Sequence, residues 1–420
     1  MRVFVTGVGV VSSLGFGKAD FGRALAEGRS AAGPVTLFDA SKLERNIACE
    51  INSFQPREHL TAAEARRMGR CSAMAVAAAR MAVEDSGAAA ELAGPRTAVI
   101  LGTTMGEANL LGDLENTRIH SGEEAVQPAA LPRYGTTLLP IHVARAIGAR
   151  GMVKTLPAAC AAGNYAIGYA ADQIRAGRAD RALCGASEVI EKLQYAGFAR
   201  LGAMAPERCQ PFDENRKGLL VGEGAAIFVL ESEASLVARG GTPLAEVGAL
   251  GLACDAHHIT RPHPEGVGSR HAMRRAIEDS GIDAAQVDYI NAHGTGTAAN
   301  DAIEAMVLSE LFADTSPSVT SLKGMIGHCM GAASAIEAVS CVLTLGDGVI
   351  PPTINHEKRD PVAAALSIVA NTAAKRDVKV LLNNSLAFGG YDAVLCLAQP
   401  GVLPEGAGLP KDASPKGHAS

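Results

Sequence analysis

Short apolar runs rich in valine, isoleucine and leucine recur along the chain, separated by longer stretches where small apolar residues return at helical spacing. The runs at 1–11, 97–101, 152–156, 183–188, 226–230, 245–253, 378–382 and 393–397 predict strands. Most are too uniformly apolar to face water on one side. Residues 62–86 and 165–176 predict helices stopped by Gly87 and Gly177, and 331–345 predicts a third. Strands alternating with helices call for parallel sheets covered on both faces, an α/β fold. The run at 152–156 reads as a buried strand leading into the turn that carries Cys160.

The pattern also repeats. A helix ending in Asp85-Ser86-Gly87 is followed by a linker, a strand and the polar loop Gly102-Thr103. Much later, Asp279-Ser280-Gly281 is followed by a linker, a strand and His293-Gly294-Thr295. Each set leads to a further helix of small residues. The order predicts two α/β halves of related topology.

Composition narrows the function. The chain has 420 residues and a formal net charge of -6, without the basic balance of a nucleic-acid binder. Nine cysteines without CxxC spacing, and no signal-peptide pattern, predict a reducing cytoplasm rather than a disulfide scaffold or zinc ribbon. No apolar run reaches membrane-spanning length, so no membrane partner is expected. Gly7-Val8-Gly9 follows a strand, but Ser12 stands where a dinucleotide fold needs its third glycine. His257, His258 and His263 lack metal-ligand spacing and are expected in a loop over a pocket.

The chemistry centres on three residues. Cys160, in PAACAAG, sits on a predicted strand-to-helix turn, where free N–H groups and the helix dipole favour a thiolate. His293 ends a strand in NAHGTGT. His328 lies in SLKGMIGHCMGAAS, five residues after Lys323. A lone histidine is more often structural. Two of them beside glycines and hydroxyls, with a cysteine at a helix start, form a constellation. Phe388-Gly389-Gly390 is a tight turn able to aim a backbone N–H into the same pocket.

These stretches, with CQPFD, GEGA, DAHHIT and NNSLAFGG in this order, resemble the elongating β-ketoacyl-[acyl-carrier-protein] synthases, condensing enzymes of fatty-acid and type II polyketide synthesis. The resemblance covers nearly the whole chain. It implies a thiolase fold, two β/α halves stacked as five layers. Residues 1–243 would carry Cys160, residues 244–400 would carry His293, Lys323 and His328, and the tail 401–420 is expected to be disordered.

The resemblance also implies roles. Cys160 takes an acyl chain as a thioester. His293 and His328 bind the malonyl thioester carbonyl and assist loss of carbon dioxide, since two N–H donors stabilise an enolate oxygen. Lys323 sets the electrostatics and pairs with Glu337. Backbone N–H groups of Cys160 and Phe388 form the other oxyanion hole. Thr295 and Thr297 hold the pantetheine arm, with Phe198, Thr260 and Gly389 along the substrate path. Asp301 and Glu304 stand behind the histidines. Arg66 and Arg67, with Arg200, receive the acidic acyl carrier protein. No metal and no separate cofactor is implied, because the substrates ride on carrier-protein phosphopantetheine. The assembly is a homodimer or a heterodimer with a ketosynthase-like partner.

The chain departs from the family pattern at Pro157-Ala158-Ala159, where Asp-Thr-Ala is common, and at Ala387 and Asp392, where glycine and asparagine are common. Asn164-Tyr165 sets a bulky polar ring near the acyl channel. These changes lean towards a specialised polyketide pathway. The competing readings are a non-catalytic chain-length subunit, against which Cys160 speaks, and a degradative thiolase or initiating synthase, against which His328 and Lys323 speak. A binding-only subunit is the remaining alternative.

Overall fold

A computed structural model describes residues 1–409, and ten strands carry its architecture. In chain order they are β1 (Val3–Ser12), β2 (Thr97–Gly102), β3 (Val153–Leu156), β4 (Arg181–Glu188), β5 (Gly224–Ser232), β6 (Ala245–Cys254), β7 (Tyr289–Asn291), β8 (Ser318–Thr320), β9 (Val380–Ala387) and β10 (Tyr391–Ala398). The first half is ordered β3-β2-β4-β5-β1 and the second β8-β7-β9-β10-β6. In each, the first three strands run parallel and the last two join antiparallel. Every strand of one half therefore has a counterpart in the other. The sheets meet where β1 pairs with β6, through Phe4 opposite Glu246 and Val5 opposite Ala245.

Six helices complete the layers: α1 (Arg70–Ser86), α2 (Leu138–Ile147), α3 (Ala162–Arg175), α4 (Val267–Asp279), α5 (Ala298–Leu311) and α6 (Ala333–Asp347). α1 and α2 cover the outer face of the first sheet, and α4 and α5 that of the second. α3 and α6 lie between the sheets, where they share the central core. They cross closely because Gly163 lacks a side chain; a Cβ there would come 2.5 Å from Ala335 N. The segment Met330–Asp347 is apolar and long enough to cross a membrane, but it is buried as this central helix. The five-layered thiolase fold follows.

Three expectations change. The helix expected over 62–86 is broken: a short helix, Ala62–Arg67, ends before Met68 and Gly69, and α1 starts afresh at Arg70. The cause is buried Glu107, whose carboxylate accepts the Cys71 and Ser72 N–H groups at 3.2 and 2.7 Å and so caps α1. A Cβ on Gly69 would meet that carboxylate at 2.1 Å. The strand expected to be buried at 152–156 is instead the sheet edge, with Met152 and Val153 each 40% exposed. Of the tail, Leu403 and Ala407 pack into the outer core of the second half, and Gly408 N–H donates to Asp279 O at 2.8 Å. The remainder of the expected disorder, 410–420, lies outside the described residues.

Candidate active site

Cys160 stands where β3 hands over to α3. Ala159 just before it has a φ of 46°, and Met330, at the matching place before α6, has 47°. Left-handed backbone at non-glycine residues is strained and persists only where the surroundings hold it. Here the Cys160 carbonyl accepts from Ser334 Oγ at 3.2 Å and Ser385 Oγ at 3.0 Å. Beneath it, Asn164 Nδ2 donates to Asn383 O and Ala393 O, and Asn383 Nδ2 donates to Asn164 Oδ1 at 2.8 Å. The polar run Asn383-Asn384-Ser385 inside apolar β9 is thus an anchor between the halves. Sequence reading missed it, although three polar residues in a central strand are a visible signal.

The histidine loop is held from α5. Glu304 accepts the N–H groups of His293 and Gly294, both at 2.8 Å. Asp301 accepts those of Gly296 at 3.1 Å and Phe212 at 2.8 Å. Glu304 also accepts from Asn384 Nδ2 at 3.3 Å and Asp301 from Asn300 Nδ2 at 3.2 Å, so both acids act by placing the turn and the side chains around it. Thr295 and Thr297 share a hydroxyl contact of 2.8 Å.

The two imidazoles meet edge to face, centroids 5.3 Å apart. Cys160 Sγ and one ligating nitrogen of each ring lie within 4.8 Å of one another. That spacing also suits a metal ion, but the donor chemistry does not. His328 Nδ1 accepts the Met330 N–H at 3.1 Å, which leaves Nε2 carrying the proton, as a donor. Burial, helped by the Lys323 charge, holds both histidines well below the usual imidazole range, so both are neutral. Lys323 and Glu337 form a fully buried pair at 2.5 Å. Burial pushes Glu337 up to about 7 against the pull of Lys323.

Cys160 departs from expectation. Burial pushes its thiol up to about 11, outweighing Lys323 and the N–H groups of Phe388 and Cys160 itself. Those two amides nonetheless face the sulfur from opposite segments, the arrangement an oxyanion hole needs.

A cavity of about 330 Å³ opens over this trio. Phe198, Thr260, Thr295, Thr297, Phe388 and Gly389 line it. Phe388 is 36% exposed, and its ring lies against Phe198, centroids 5.9 Å apart. His258 of the three-histidine loop is also in the wall. Arg66, Arg67 and Arg200 are exposed and do not line the cavity; Arg200 adjoins Leu201, which does. Arg70, close to the first two, turns inward to buried Glu223 at 2.6 Å.

A thiol that can carry an acyl group, facing neutral imidazole donors across the middle of a duplicated five-layer fold, defines a condensing enzyme. The chain belongs to the β-ketoacyl synthase family: residues 1–235 match its N-terminal domain and 244–357 its C-terminal domain. It is 37% identical to nodulation protein E of Rhizobium meliloti, over 95% of this chain and 99% of that one. It is 36% identical to 3-oxoacyl-[acyl-carrier-protein] synthase 2 of Synechocystis, over 94% and 97%. Among solved structures it resembles the ishigamide ketosynthase/chain length factor, 42% identical with a TM-score of 0.91 over 95% of this chain and 99% of that one. It also resembles a type II PKS ketosynthase in complex with its acyl-carrier protein, 28% identical with a TM-score of 0.86 over 95% and 99%.

Proposed function

We propose that this ketosynthase joins an acyl group held on Cys160 to a malonyl unit delivered by acyl carrier protein, in a specialised type II polyketide pathway. The convergence of Cys160 with His293 and His328 is the observation that carries the reading. In the first half-reaction the Cys160 sulfur attacks the carrier thioester. The acyl carbon–sulfur bond to pantetheine breaks, and the proton from Cys160 ends on the departing pantetheine sulfur. In the second, malonyl thioester loses carbon dioxide. The electron pair left behind forms an enolate whose oxygen takes hydrogen bonds from His293 and His328. Its carbon attacks the acyl thioester, whose carbonyl oxygen is held by the Cys160 and Phe388 N–H groups, and the Cys160 sulfur leaves and is reprotonated. Lys323, paired with Glu337, supplies the positive field.

Two features support a partner subunit. Among the described residues the edge strand β3 has free backbone on one side, and Met152 and Val153 are exposed there. The ishigamide relative is a ketosynthase/chain length factor pair, and we read this chain as the active member of such a heterodimer. Its two halves, 1–243 and 244–400, work as one unit, in the cytoplasm where its cysteines stay reduced. The test is intact-mass analysis with acyl carrier protein, run beside carbon dioxide release from the malonyl form. Cys160→Gln should lose acyl-enzyme and condensation while decarboxylation survives. His293→Ala should lose decarboxylation by on the order of a hundred-fold or more yet still acylate. Condensation by Cys160→Gln, or decarboxylation at the parent rate by His293→Ala, overturns the assignment.

A further inference from the structure

Two loops meet over the cavity at a pair of carboxyl groups that the reaction above does not use. Asp255 follows β6, and Asp392 is the second residue of β10; both line the cavity with Cys160. Asp255 is well supplied: Oδ2 accepts the His263 N–H at 2.8 Å and Oδ1 the Gly268 N–H at 3.1 Å. Gly268 lies in the first turn of α4, whose amides favour a negative charge. Asp392 is 3% exposed, and its Oδ2 is buried without a hydrogen-bond partner. A Cβ on Gly268 would stand 2.3 Å from Asp392 Oδ2 and 2.6 Å from Asp255 Oδ1, so both oxygens border the same small space beside the Gly268 backbone.

Two carboxyl groups so placed do not both ionise without a large cost. Asp255 has two backbone donors. Asp392, with none on Oδ2, keeps the proton, and the orphaned acceptor becomes a donor. Burial first, then the charges of Asp255 and Glu304, push Asp392 up to about 8. Glu304 faces it from α5 and Tyr165 from α3, and Tyr391 and Cys254 adjoin that tyrosine. The charges that act on Asp392 are negative; Arg261 and His258 line the same cavity but are not among the groups that shift it.

We propose that Asp392 is a positioning residue: its carboxyl proton bridges to Asp255 and ties the Phe388 turn to the 255–263 loop, and loss of that proton frees the turn from Cys160. The bridge has company. Asp255 N–H donates to Gly390 O at 3.0 Å, and Gly389 N–H to Ile259 O at 2.7 Å. The acid pair sits beside these two bonds and supplies the part of the clasp that responds to pH. Beyond the clasp, the Phe388 N–H faces the Cys160 sulfur.

The inference rests on the proposed function only for what passes the gate, so its test involves no condensation. The rate of Cys160 alkylation by iodoacetamide, resolved by peptide mapping, is measured on the full chain across about pH 6 to 10. Every variant speeds up as the thiol ionises, and the ratio of parent to Asp392→Asn cancels that rise. The ratio should stay near one below about pH 7 and climb through about pH 8, by on the order of ten-fold, as the parent's gate opens. Asp255→Asn, which removes the neighbouring charge, should move the parent's inflection to lower pH. A ratio flat with pH overturns the proposal. So does an inflection that Asp255→Asn leaves in place, and that comparison stands even if Asp392→Asn fails to fold.

Discussion

Replacing Lys323 by methionine measures how far one buried cation sustains the reactivity of Cys160. Lys323 is the strongest influence lowering the thiol, against a burial that lifts it to about 11. At pH 8 a thiol at 11 is ionised to about one part in a thousand, where an ordinary one near 9 would be about one in ten. Methionine keeps much of the side-chain length and removes the charge. Glu337, already at about 7, then takes up a proton, so no bare carboxylate is left in the core. Two charges about 8 Å apart interact by about 2 kcal/mol at an effective dielectric of about 20. The opposing Glu337 charge cancels part of this, leaving about 1.4 kcal/mol, one pKa unit. Loss of a positive charge disfavours the thiolate, so the thiol rises and alkylation slows about ten-fold at every pH below about 11. Both histidines rise too, but burial is the larger cause of their depression and they stay neutral. The assay is site-resolved alkylation of Cys160 against pH, with a thermal melt to check the fold. Parent-like alkylation by Lys323→Met at pH 8 would refute the reasoning, as would a parent rate that levels off near pH 9.

Arg66→Glu with Arg67→Glu should raise KM for carrier-bound substrate by about ten-fold and leave a small pantetheine thioester unaffected; steady-state kinetics on both substrates decides it. Gly389→Ala should slow self-acylation by about ten-fold, because φ there is 85° and a Cβ would stand 2.9 Å from the Tyr391 ring. Ala387→Gly should change that rate by less than about two-fold, since Ala387 ends β9 in ordinary strand pairing with Tyr391; stopped-flow acylation followed by mass compares the two. Glu223→Ala should destabilise the fold by about 3 kcal/mol, read as a fall in Tm, because the buried carboxylate holds Arg70 and the Ile51 N–H.

Much of this was legible in the chain because apolar period and glycine stops report directly on strands and helices. The repeat around Ser86-Gly87 and Ser280-Gly281 corresponds to α1 and α4, the outer helices of the two halves. Cys160, His293 and His328 stand in glycine-rich turns, where backbone geometry leaves a visible mark. What stayed hidden depends on distant partners. The break at Gly69 needs Glu107, which lies in another loop. The 152–156 run is as apolar as a buried strand, and only the sheet order makes it an edge. The thiol's protonation was misjudged because the turn advertises its amides while burial is set by residues far along the chain. Asp392 stood out as a substitution for asparagine, but its meaning needs Asp255 beside it.

The duplication explains why sulfur and imidazoles come from different halves. The same strained turn occurs twice, at Ala159 and at Met330, each opening a central helix. The position after it is Cys160 in one half and Gly331 in the other. A side chain at Gly331 has no room: a Cβ would meet Glu188 Oε2 at 2.8 Å and Thr104 N at 2.9 Å. Glu188 also accepts from Thr103 Oγ1 and from the Thr104 and Met105 N–H groups, and takes the Gly331 N–H at 3.2 Å. The loop after β2 is thereby committed to holding the second half's turn. Its counterpart after β7 is free to carry His293, and the longer connection from β8 to α6 brings Lys323 and His328. Two equivalent turns thus yield one site, because one of them serves as the wall against which the other works.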